Sequence, residues 1–157
     1  MRNKAAIWVA TQIAIIIAIV FPKAMFQMDF NIQAWDKRKQ IMCDVLNINF
    51  DAGVVHIKDQ KTNLYWGRKF EDVELLQYTG QKDAYDTEIF EEAIVYQEFY
   101  DRISEKHGFT GVVKQKEGAW WICNGVDHAE LLWREVNLNH VKGNIYENLE
   151  ILENWTK

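Results

Sequence analysis

The chain has 157 residues, of which 48% are hydrophobic, 26% charged and 13% aromatic, with seven Trp and a single Pro. That balance suits one globular domain and excludes disordered and low-complexity classes. A net charge of −5 disfavours non-specific nucleic-acid binding, because a phosphate backbone repels an acidic surface.

Residues 5–21 read AAIWVATQIAIIIAIVF, with Thr11 and Gln12 the only polar side chains and no charge, Gly or Pro. As a helix this stretch reaches about 26 Å, near the lower limit for spanning a bilayer. Three readings fit it: a single membrane anchor, a cleaved signal peptide, or a start codon placed too early, with the native start at Met28. The sequence Lys23-Ala24-Met25-Phe26 is a poor match to a cleavage site, which weighs against the signal peptide. Basic residues flank both ends, and the excess at the N-terminus favours an inside N-terminus for an anchor.

After Met28 the pattern becomes short β-type segments broken by polar turns. Phe30 to Trp35 alternates strictly, as a half-buried strand does. A turn at Asp36 to Lys39 leads to a second strand, Ile41 to Phe50. Asp51-Ala52-Gly53 turns into a third, Val54 to Lys58. Asp59 to Asn63 is a polar turn before Leu64-Tyr65-Trp66. These elements predict a β-meander. Phe70 to Tyr78 reads as extended with one helical turn at its start, and Thr79 to Asp83 as a turn. Glu88 to Phe99 reads as one strand, and Tyr100 to His107 as a short helix or loop. Gly108 to Val113, a turn at Lys114 to Gly118, and Ala119 to Cys123 predict a hairpin. Ala129 to Val136 fits a helical turn or a strand, Asn139 to Ile145 a last strand, and Tyr146 to Leu152 a terminal helical turn. Short strands at regular spacing indicate a small barrel or sandwich.

Residue types that carry chemistry are present but do not assemble into a known pattern. His56, His107, His128 and His140 lack metal-pair spacing, and Asp127-His128 with Glu130 reads as a surface loop. Ser104 is the only serine and has no nucleophile motif around it. Cys43 and Cys123 show no zinc or redox spacing and read as buried thiols, with one bridge left open for an exported chain. The basic run Lys37-Arg38-Lys39 reads as a solvated turn. The runs Glu71-Asp72-Glu74, Glu88-Glu91-Glu92 and Glu147-Glu150-Glu153 read as solvated acidic faces able to attract a basic partner. No catalytic, cofactor or metal residue is assigned. Trp66, Trp120, Trp121, Trp133 and Trp155 exceed what one small core needs. Trp120 and Trp121 are adjacent in a strand, so they face opposite sides: one fills the core and one is an exposed aromatic. Interface hot spots favour Trp, so Trp120, Trp121 and Trp133 are the candidate partner-binding residues.

Several blocks in this order carry a resemblance. They are Gln33-Ala34-Trp35-Asp36, Leu76-Gln77-Tyr78-Thr79-Gly80, Lys82-Asp83, Glu88-Ile89-Phe90-Glu91, Gly111-Val112-Val113, and Val141-Lys142-Gly143-Asn144-Ile145-Tyr146-Glu147-Asn148. From about Met28 to Leu152 the chain resembles the YopX family of phage and prophage proteins. Glu91-Glu92-Ala93 departs from the acidic-Gly-Asp pattern usual there, Leu149 replaces a common Pro, and Ala84-Tyr85-Asp86 lacks a common Gly. The resemblance implies an all-β domain with an SH3-like barrel in its C-terminal part, a phage or prophage origin, and self-association. It implies no activity.

The expectation is therefore an all-β chain with short helical turns, a β-meander followed by an SH3-like small barrel over residues 28–157, and a hydrophobic segment over residues 1–27. The leading functional expectation is a non-enzymatic accessory protein that needs no cofactor, self-associates, and binds a host or phage protein in the host bacterial cytoplasm. Two alternatives stand beside it. A membrane-anchored exclusion or envelope factor requires residues 5–21, and a nucleic-acid-binding regulator requires a basic face.

Overall fold

Among the described residues, alternating side chains and tight polar turns generate eleven strands, in the order β1 (Ile32–Asp36), β2 (Ile41–Asn49), β3 (Val54–Asp59), β4 (Tyr65–Lys69), β5 (Val73–Lys82), β6 (Glu88–Phe90), β7 (Ala93–Phe99), β8 (His107–Lys116), β9 (Ala119–Cys123), β10 (Ala129–Leu131) and β11 (Asn137–Asn144). One 3-10 turn (Phe70–Asp72) precedes β5, and one short helix, α1 (Leu149–Glu153), follows β11. The computed structural model describes residues 31–99, 107–135 and 137–153. The hydrophobic stretch 5–21, the segment 100–106 and Trp155 lie outside the described residues. Residues Asn31–Lys157 make one compact unit.

The strands form two antiparallel sheets, ordered β4-β3-β2-β1-β5-β6 and β10-β9-β8-β7-β11. The first four strands are the expected meander. The 3-10 turn then carries the chain across so that β5 pairs with β1 rather than β4.

Two similar turns fold the meander. Gln40 donates its N–H to the Asp36 carbonyl (2.7 Å), and Asn63 donates to that of Asp59 (3.0 Å). Each closing residue has positive φ, 56° at Gln40 and 60° at Asn63. Each opening aspartate accepts turn amides through Oδ1, Arg38 and Lys39 at Asp36 and Lys61 at Asp59. Aspartate supplies this side-chain bond at little steric cost, so these turns are readable from sequence.

The first sheet has a core on each face. Ala34, Cys43, Val55, Ile57 and Val73 pack on one side with Ile41, Val45, Ile48 and Trp66. Trp35, Met42 and Leu76 pack on the other, where Tyr146 stacks on Trp35 with ring centroids 5.2 Å apart. Burial pushes the Tyr146 phenol up to about 12, helped by the charges of Glu92, Glu74 and Glu91. A third core gathers Ile89, Ala93, Val95, Val113, Ile122 and Leu132, with Phe109, Trp120 and Val141 against it.

Three expectations about single segments are corrected. Thr79 to Asp83 is not a turn: β5 continues through Lys82, with an irregular register between Tyr78 and Lys82. The hairpin turn after β8 is only Glu117-Gly118, both at positive φ (52° and 77°), so Lys114 to Lys116 belong to the strand. Glu88 to Phe99 is two strands in different sheets, divided at Glu91-Glu92.

That division is the junction of the fold. Glu91 donates its N–H to the Gln77 carbonyl of the first sheet (2.9 Å), and Glu92 donates to Val113 of the second (2.9 Å). Glu92 sits at φ 60°, the left-handed region that favours glycine, where the resemblance would place one. Its Oε1 pairs with Lys114 Nζ (3.1 Å), while its buried Oε2 has no hydrogen-bond partner among the described residues. Glu92→Gly is therefore expected to stabilise the chain by about 1 kcal/mol, relieving more strain than the ion pair contributes. A thermal melt should show the midpoint rising by about 3–5 °C. A fall in the midpoint would mean the Lys114 contact outweighs the strain.

The second sheet is curled but is not a closed barrel, which corrects the barrel expectation. β10 and β11 are its two edges and share no ladder. The gap between them is spanned by side chains. Gln97 of β7, fully buried, donates Nε2 to the carbonyls of Leu131 (3.0 Å) and Leu132 (3.2 Å) and to Asn139 Oδ1 (2.9 Å). Asn139 of β11 donates Nδ2 to the Leu132 carbonyl (2.7 Å), and Asn137 donates Nδ2 to Gln97 Oε1 (3.1 Å). β10 is only three residues long and its ladder is spent on β9.

Candidate functional site

Register fixes where the three candidate tryptophans fall. Trp120, half-buried, packs against the core of the second sheet, and its carbonyl accepts the Leu132 N–H (3.0 Å). Trp121 points to the opposite face, as adjacency requires. It lies across from Lys114 on β8 and Leu131 on β10, and its Nε1 donates to the Lys116 carbonyl (3.2 Å). Trp133 follows β10 and is 65% exposed. Trp120 and Trp121 therefore do not share a surface.

Beside Trp121 on that outer face, Val112, Cys123 and Ala129 align across β8, β9 and β10. A hollow of about 430 Å³ opens here, lined by Lys114, Lys116, Cys123, Ala129 and the loop from Asn124 to His128. The loop is held by its own hydrogen bonds. Asn124 Oδ1 accepts the backbone N–H groups of Val126 (3.0 Å), Asp127 (3.2 Å) and His128 (3.0 Å). Asn124 also donates its own N–H to the His128 carbonyl (3.1 Å), and Gly125 takes the left-handed conformation at φ 82°. The His128 ring meets Phe109 edge-on at 4.7 Å and lies 3.0 Å from Glu130 Oε1. At the tip Val126 is 82% exposed. Among the described residues no group of three or more metal-type ligands lies together.

Charged runs that read as open faces in the sequence are partly neutralised. Lys37 Nζ lies 2.6 Å from Glu74 Oε1, and Arg38 Nε lies 2.8 Å from Asp72 Oδ1. Lys39 Nζ sits 3.4 Å above the centre of the Trp66 ring. The basic turn thus docks on the acidic start of β5, a long-range contact that local sequence does not reveal. Sequence reasoning also missed the Asn124 loop. Its signal is an Asn followed by Gly and polar residues between two apolar strands.

Gly143 explains part of the terminal block that carried the resemblance. It lies at a register shift between β11 and β7, at φ 150°. A Cβ there would fall on the Asn148 side chain, whose Oδ1 accepts the Asn144 N–H (3.2 Å).

The YopX protein family model matches residues 32–153. The chain belongs to the YopX protein family. Two solved structures are similar to it, and the first of them shares its fold. Protein yopX from Bacillus subtilis is 19% identical at a TM-score of 0.51, covering 78% of this chain and 98% of that one. Protein EF1440 from Enterococcus faecalis is 22% identical at a TM-score of 0.49, covering 78% of this chain and 96% of that one. Comparison with curated proteins gives no match. In this YopX-family chain no helix among the described residues is long and apolar enough to cross a membrane.

Proposed function

We propose that this YopX-family chain is a non-enzymatic, self-associating binding module of phage or prophage origin, and that it grips a host or phage protein through the outer face of its second sheet. The observation that carries this reading is the Asn124 to His128 loop. It holds Val126 out in solvent on a hydrogen-bonded loop beside an open hollow, on the sheet face that also carries half-buried Trp121. A fixed loop loses little conformational entropy on binding, and an apolar tip with a neighbouring Trp supplies the anchor that interfaces favour. Lys116 and Asp127 add polar groups to the rim, where Lys114 is already paired with Glu92.

A photo-crosslinking side chain at position 126 should capture one protein in the host cell. Purified, that protein should bind Val126→Asp and Trp121→Ala at least about tenfold more weakly than the parent chain. Unchanged affinity in both variants, with their thermal melts intact, would refute this surface.

A further inference from the structure

β4 is the outer strand of the first sheet, and its outward edge is suited to pairing. Asp59 donates its N–H to the Leu64 carbonyl (2.8 Å), and Phe70 donates to Gly53 (3.2 Å), at the two ends of the β3–β4 ladder. Alternation then turns the backbone N–H and C=O of Tyr65, Gly67 and Lys69 away from β3. The Gly67 carbonyl accepts a long bond from Arg68 Nη1 (3.3 Å) at the exposed edge. β4 contains no Pro or bulge, and its two cations, of the kind that blunt an edge, are each paired within the chain, Arg68 with Asp36 and Lys69 with Glu71. Apolar side chains crowd its ends: Leu64 is 63% and Tyr65 75% exposed, and exposed Phe50 lies 5.9 Å from Phe70.

We propose that β4 pairs antiparallel with β4 of a second copy, about a two-fold axis through Gly67. This rests on the self-association in the proposed function and names its surface. The segment Leu64-Tyr65-Trp66-Gly67-Arg68-Lys69-Phe70 reads as a chemical palindrome. With Gly67 on the axis, Leu64 faces Phe70 of the second copy, Tyr65 faces Lys69, and Trp66 faces Arg68. Leu64 and Phe70 meet as apolar side chains and Lys69 meets the Tyr65 ring, while Trp66 and Arg68 stay on Asp36 of their own chain. Gly67 bonds reciprocally with its counterpart, and Tyr65 with Lys69 on both sides. Glycine at the axis removes the side chains that would meet there. Other axes fit worse. One through Tyr65 sets Lys69 against Lys61, and axes through Arg68 or Lys69 set that residue against itself. One through Trp66 pairs only part of the strand.

A residue on a two-fold axis faces its own copy, so one substitution tests the geometry. In the single chain, position 67 lies across from His56, and a Cβ there meets Val54 Cγ1 at 3.3 Å, the end of a side chain that can shift. Two differently tagged full chains should be co-expressed and co-purified. Parent chains are expected to co-purify. Gly67→Asp with Gly67→Asp, and Gly67→Lys with Gly67→Lys, should lose at least about tenfold of that yield, and Gly67→Asp with Gly67→Lys should recover it. Failure of the parent chains to co-purify would overturn both the pairing and the self-association. Undiminished co-purification of the like-charged pairs would overturn the pairing alone. If the charged variants do not fold, oxidation of Gly67→Cys decides. A reducible dimer, absent from Thr62→Cys, supports the axis, and its absence overturns it. Cys43 and Cys123 are buried, and the parent chain, which keeps both, serves as the control that must give no reducible dimer.

Discussion

Asp36→Ala is expected to reduce the unfolding free energy by about 3–5 kcal/mol, enough to leave the chain marginal at room temperature. Asp36 is 0% exposed and ends β1. Its Oδ1 accepts the N–H groups of Arg38 (2.9 Å) and Lys39 (3.1 Å), and its Oδ2 accepts Trp66 Nε1 (2.8 Å) and Arg68 Nε (2.9 Å). One carboxylate thus closes the first hairpin and ties it to β4. Removing it strands a largely buried guanidinium and an indole N–H, and leaving such groups unpaired is the expensive part. Urea denaturation should show a lower midpoint with an unchanged slope. Asp36→Ala/Arg68→Met should recover part of the loss, because the unpaired cation is gone. A loss under about 1 kcal/mol for Asp36→Ala would show that the cluster tolerates an unpaired Arg68.

The same group predicts an acid response. Burial pushes the Asp36 carboxyl up, but the bonds from Arg68, Trp66 and the Lys39 and Arg38 amides together hold it below the usual carboxylate value. A depressed native value means the stabilisation is complete above the unfolded value, about 3.9, and is lost as pH falls through the lower native one. Asp59 and Asp83 are depressed as well, so the acid limb does not belong to Asp36 alone. Stability measured below about pH 4 should therefore fall less steeply in Asp36→Ala than in the parent chain.

Gln97→Leu is expected to destabilise by about 2–4 kcal/mol, although leucine suits a buried site in size and polarity. The two amide hydrogens of Gln97 serve three acceptors, so two of them share one hydrogen. Leucine would leave the Leu131 carbonyl without that donor, and would leave Asn137 Nδ2 without its acceptor. Hydrogen exchange at the Leu132 amide, which donates to Trp120, should accelerate more than exchange at central β7. If Gln97→Leu is neutral or stabilising, side-chain hydrogen bonds do not hold the curled edges together.

Local signals carried much of the fold. The meander strands are legible because alternation of apolar and polar side chains has period two, and because Asp36, Asp59, Gly53 and Gly118 mark turns by their own chemistry. The resemblance blocks led to the YopX family, which the match over residues 32–153 shows. Trp120 and Trp121 lie on opposite faces because adjacency in a strand demands it.

What failed was of another kind. Glu88 to Phe99 looks continuous in apolar content, yet Glu92 at positive φ sends its halves into separate sheets. Nothing local announces that the Lys37 to Lys39 turn will meet Asp72 and Glu74, or that the amide of Gln97 will replace a closing ladder. The sequence by itself determined the meander strands, the turns at Asp36, Gly53 and Asp59, and the family, since those follow from each residue's own backbone preference and side-chain period. Only the tertiary structure decided which strands are neighbours, which charges cancel and which edge stays open. Pairing partners lie tens of residues apart, and register is set by the shared cores rather than by either strand alone.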